Sequence, residues 1–216
     1  MRTLLAVLRK DLTVEGRSRD LIPAMALLAL LLLALSGSAG IRGAPSSIMV
    51  WIAVVVSAAL GLTRGFGQET DQEQIQGLRM APVDPAWIFL GKAAANFLFV
   101  AAVEVLALGA AVVFLDLPAG GRVAPLAGVL ALGGAAIVSL GTLLGALLAV
   151  TRLREALLPL LLLPLSAPAV MAASGATVKL LGAEREPVTG EVVLLAAFLA
   201  LFTALGMLLF EYAIEE

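Results

Sequence analysis

The sequence predicts an all-α, polytopic membrane protein with six transmembrane helices, and three observations predict it. Apolar residues make up 61% of the 216-residue chain, charged residues 14%, and mean hydropathy is +1.06. Soluble domains hold about half apolar and a quarter charged residues, so lipid must cover much of this surface. Six separate stretches reach the roughly 20 mostly apolar residues that a helix needs to cross the bilayer core. No stretch shows the alternation over about ten residues of a membrane barrel strand. A backbone in lipid must satisfy its own hydrogen bonds, so helices remain.

The elements follow in chain order. Residues 1–20 carry Leu4, Leu8 and Leu12 at helical spacing, with Leu5 beside them and Arg9, Lys10, Asp11 and Glu15 off that stripe. This pattern reads as an amphipathic helix on the membrane surface, the alternative being a helix packed on neighbouring spans. The basic residues ahead of the first apolar run, and the length of that run, argue against a cleaved signal peptide. The spans are expected at 21–39, 47–66, 86–115, 124–150, 156–173 and 191–213. The third is too long to stand upright in a bilayer, so it should tilt or begin outside the membrane. Pro159, Pro164 and Pro168 interrupt the fifth. Each removes a backbone donor, which predicts a helix broken at these positions and lining a cavity or turning back. The small-residue segment 169–182 would then be a separate short helix dipping into the outer leaflet.

Charge gives an orientation. Of the 14 Lys and Arg residues, ten fall on the side of the N-terminus, in 1–20, at Arg64, Arg79 and Lys92, and at Arg152 and Arg154. Arg42, Arg122, Lys179 and Arg185 make four on the other side. Basic loops stay in the cytoplasm, so both termini are expected there. The connection 67–85, GQETDQEQIQGLRMAPVDP, is the most polar stretch. Glu69, Asp71 and Glu73 suit a helix N-terminus, Ile75 and Leu78 share one face, and Pro82 and Pro85 end it. It reads as a short surface helix, either a plain connector or a docking element for a soluble partner.

Several chemistries are excluded. The chain has no cysteine and no histidine, so thiolate or imidazole metal sites, a Ser-His-Asp triad and histidine-ligated haem are out. The one Gly-Lys pair, Gly91-Lys92, lacks the remainder of a P-loop, so ATP can act only through a partner. No catalytic group, metal site or nucleic-acid site is expected.

The candidate polar site inside the membrane is Glu104, in the third span, with Asn96 eight residues earlier and within about 80° around the helix. An intramembrane carboxyl is costly and should face protein or water. It is either a substrate or proton site, or a structural group that makes an interhelical hydrogen bond or stays neutral. In the fourth span, Gly141, Gly145 and Ala149 recur every four residues, beyond Gly133 and Gly134. This spacing allows close helix approach, within the bundle or along a homodimer seam.

These residues together resemble the membrane subunit of ABC exporters of the ABC-2 type, and more narrowly the CcmB family of the cytochrome c maturation system. The stretch ETDQEQIQGLRMAPVDPAWIFLGK has Glu69, Leu78, Pro82 and Lys92 at the family's spacing, and TRLREALLPLLLLPLSAPAVMAA is similar to the family's fifth span. The N-terminal LLAVLRKDLTVEGRSRDLI also fits. Two positions depart from the family: Glu73 stands where a Gly is usual, and Ile22-Pro23 where Asn-Pro is usual. The resemblance implies one permease domain over 1–216, with an interfacial helix at 1–20 and a coupling helix at 68–85. It implies a homodimer in the inner membrane, bound through Glu69, Glu73, Ile75, Leu78 and Pro82 to two copies of a cytoplasmic ATPase. It further implies work beside a haem-handling membrane protein and a periplasmic haem chaperone, with haem as cargo and not as a cofactor held by His or Cys. The alternatives are an ABC-2 permease for a lipid-linked glycan or a drug, and a membrane scaffold or proton-coupled carrier acting alone. No internal inverted repeat is evident, which weighs against the carrier.

Overall fold

The computed structural model describes residues 20–43, 46–68, 85–117, 123–149, 151, 153–181 and 186–215, with Arg9 and Thr13; the side chains of 65–68, 123 and 211–215 lie outside the description. The described residues form six helices and no strand. These are α1 (Leu21–Ser38), α2 (Ser47–Gln68), α3 (Pro85–Phe114), α4 (Val123–Leu147), α5 (Arg154–Leu181) and α6 (Thr189–Glu215). All six are long and apolar enough to cross a membrane. The surface helix expected over 1–20 falls outside the described residues, apart from Arg9 and Thr13, which are helical, and Asp20, which precedes α1 as its N-cap.

The helices run up and down. Across α3 and α4, Asn96 meets Thr142 and Glu104 meets Gly134, which is an antiparallel register. Across α2 and α4, Trp51 meets Gly133 and Leu62 meets Gly141, which is parallel. Gly133 and Gly141 also meet Ala173 and Leu162 of α5, antiparallel again. The start of α1, the end of α6 and the α2–α3 and α4–α5 connections therefore share one end of the bundle, here the terminal end. The remaining connections mark the far end.

Sequence chemistry explains the order of layers. Helix α4 packs against α2, α3, α5 and α6, because its glycines remove the Cβ atoms that would hold neighbours off. A Cβ at Gly141 would strike the Leu62 methyl, and one at Gly133 would strike the Trp51 ring. The main core gathers Trp51, Val54, Val103, Ile137, Ala173 and their neighbours. A second cluster, around Leu62, Leu140, Leu158 and Leu162, lies toward the terminal end. Helix α3, at 30 residues, is about 45 Å long against a hydrocarbon core of about 30 Å, longer than an upright span requires.

Two expectations for the fifth span are corrected. Helix α5 runs unbroken through Pro159, Pro164 and Pro168 to Leu181, and the segment beyond 169 is its continuation, not a separate helix. Nor do the later prolines line a cavity: Pro164 and Pro168 lie on the exposed side. The reason is the solvent. Each proline deletes one backbone bond, whereas a break in lipid would strand several groups at once. The small residues face inward: Ala169, Ala172, Ala173 and Ala176 are buried, in a helix that packs closely on α2.

Candidate functional site

The far end is fastened by polar contacts. Gly40 and Gly43 take left-handed backbone angles, φ 81° and 73°, which lets the α1–α2 connection turn back tightly. Gly43 N–H then donates to the Leu115 carbonyl at 2.8 Å. Arg42 Nη1 pairs with Asp116 Oδ2 at 2.5 Å, both side chains being exposed. Gly37 backs onto the Phe114 carbonyl, which a side chain would displace. At the same end Trp51 Nε1 donates to Thr177 Oγ1 at 3.1 Å, and the Ser47 and Ser174 hydroxyls lie 3.0 Å apart. Lys179 Nζ pairs with Glu191 Oε1 at 2.6 Å, joining α5 to α6.

Deeper in the bundle, α4 presents its polar side chains to two neighbours. Asn96 Nδ2 donates to Thr142 Oγ1 at 3.1 Å, and the Ser139 and Thr203 hydroxyls lie 2.9 Å apart. Glu104 is 2% exposed and lies against Gly134. Both Asn96 and Glu104 thus face α4. They do not form one site, because eight residues separate them by about 12 Å along the axis. They are two rungs of the α3–α4 seam.

The structure places the other sequence candidates as follows. Gly141 packs between Leu62 and Leu162 inside the bundle, and Gly145 is buried. The docking candidates Glu69, Glu73, Ile75, Leu78 and Pro82 lie outside the described residues. Their anchors do not: α2 ends at Gln68 and α3 begins at Pro85, two packed antiparallel helices, both at the terminal end of the bundle. Thr142, Thr203 and Thr177 escaped the sequence reading. Each is a single hydroxyl in an apolar helix, and only the facing residue reveals its use. Among the described residues, no cluster of carboxylates or imidazoles could hold a metal.

A bundle of six helices long and apolar enough to cross a membrane, in a chain without a nucleotide-binding motif, defines a polytopic membrane protein with no P-loop ATP site of its own to drive it. The match to known families is as specific. The CcmB protein family model covers residues 2–216, so the chain belongs to the CcmB family. This is a family of permease subunits of ABC systems in cytochrome c maturation, which work with a partner ATPase. No curated protein matches the chain.

Proposed function

We propose that this chain couples ATP hydrolysis in a cytoplasmic ATPase to cytochrome c maturation across the inner membrane. The family match over residues 2–216 carries the reading. The chain acts as a homodimer bound to two ATPase copies, and the docking element is 68–85, with Glu69, Glu73, Ile75, Leu78 and Pro82 as its contacts. Both termini are cytoplasmic, which the ten-to-four division of Lys and Arg supports. ATP is bound by the partner alone, and the chain does no chemistry of its own. Its work is mechanical, moving haem or releasing the haem-loaded periplasmic chaperone beside a haem-handling membrane protein. Having neither histidine nor cysteine, it handles haem as cargo, without the usual axial ligands.

The test is co-purification of the ATPase from native membranes with the wild-type chain and with Ile75→Asp plus Leu78→Asp. Loss of the ATPase from the double variant is expected. Equal recovery would refute the docking assignment. A deletion strain with normal c-type cytochromes would move the chain to another cargo.

A further inference from the structure

Two buried side-chain atoms among the described residues have no hydrogen-bond partner, Ser57 Oγ and Glu104 Oε1. The serine is easily repaired. A helical hydroxyl reaches the carbonyl four residues back by one rotation, as Ser36, Thr63 and Thr177 do in this chain. The glutamate has no such remedy. It lies deep in the bundle, where an unmatched polar group is costly. The seam is nevertheless shaped to admit it: a Cβ at position 134 would stand 2.5 Å from Oε1 and 2.8 Å from both Cδ and Oε2. An apolar side chain facing an alanine would make the closed seam more stable.

The fastening of α3 is uneven about this point. On the terminal side of Glu104, α3 is bonded to α4 through Asn96 and Thr142. On the far side, its bonds go to the α1–α2 turn, through Leu115 and Asp116. Among the described residues, no hydrogen bond joins α3 to α4 beyond Glu104. One side of the seam is pinned, the other is held by packing alone, and a carboxyl with an unpartnered buried oxygen sits between.

We propose that α3 and α4 part on the far side of the Asn96–Thr142 bond during the working cycle, and that Glu104 is the group hydrated when they do. Its carboxyl opposes the closed packing and is satisfied by water in the open one, so it sets the balance between the two states. The inference rests on the proposed function for its energy source, the partner ATPase.

The chain contains no cysteine, so single thiols can be placed in an otherwise native background. Ala107→Cys, which keeps Glu104 and lies one turn nearer the far end of α3 at 0% exposure, is compared with Ala29→Cys, a buried control on α1 that is 1% exposed, in vesicles holding the complex with its ATPase. The probe is a small, water-soluble methanethiosulfonate. Labelling of Ala107→Cys should rise about tenfold during ATP turnover, with Ala29→Cys unchanged. Equal labelling with and without ATP overturns the proposal. A second arm needs no ATPase: Glu104→Met should raise the thermal midpoint of the detergent-solubilised chain by at least about 2 °C. No rise also overturns it, because the closed seam would then carry no penalty. Failure of the ATPase to bind would count against the proposed function, with the second arm still deciding this inference.

Discussion

Helices α4 and α6 are both apolar enough to span a membrane, yet 72% of the α4 window is buried inside the bundle and only 11% of the α6 window. Apolar character does not bury a helix here: the exposed α6 has the higher mean hydropathy, 2.7 against 2.0 for α4. What separates them is size and polarity. Helix α4 carries Gly133, Gly134 and Gly141 at its contacts and bonds two neighbours through Ser139 and Thr142. Helix α6 exposes Val193, Leu194, Leu201 and Leu208 and has one comparable notch, Gly206, which admits the Phe89 ring. Small and polar residues, not apolar ones, set a helix's place in a membrane bundle.

This contrast can be broken or sharpened by substitution, read as thermal unfolding in detergent. The largest effect is expected for Gly133→Leu, whose side chain must displace the Trp51 ring and with it the bond to Thr177. A loss of about 3 kcal/mol is expected. Leu208→Ala, on the exposed side of α6, should change stability by no more than about 0.5 kcal/mol; similar values for the two would dissolve the contrast. Trp51→Phe comes next, at about 1 kcal/mol for the lost hydrogen bond. Thr177 stays satisfied through Ala173. Arg42→Ala follows, removing an ion pair whose side chains are 58% and 62% exposed. It should cost less than about 1 kcal/mol and vanish in high salt. A salt-independent loss would show that the turn is held by that arginine's packing instead.

Much of this architecture is legible in the chain. The bounds of α1, α2, α3, α4 and α6 lie within three residues of the apolar runs that predict them, because length and hydropathy decide where a lipid-facing helix can end. Helix α5 departs from the expectation for a physical reason. In water, three prolines in ten residues would end a helix, but in lipid the helix persists and Pro164 and Pro168 turn outward. Glu104 stood out because its chemistry is wrong for lipid. Its counterpart Gly134 did not stand out from the other glycines of α4, since only the antiparallel register of α3 and α4 tells which glycine the carboxyl faces. The candidate docking residues are legible only as a polar stretch with a family's spacing, because their contacts are with another chain.

The contacts of Trp51 and Ser47 also bear on how the bundle is made. They join residues 126 and 127 positions apart, and Ser139 waits 64 residues for Thr203. A ribosome delivering this chain inserts α2 long before α5 exists, so the indole N–H and these hydroxyls enter the membrane without their final partners. The first hairpin can close early on Met25 and Gly61, but its polar groups are settled only when the fifth helix arrives. Truncation before α5 should therefore leave a fragment that inserts and then becomes a target for quality-control proteases, which recognise unsatisfied polar groups in the bilayer.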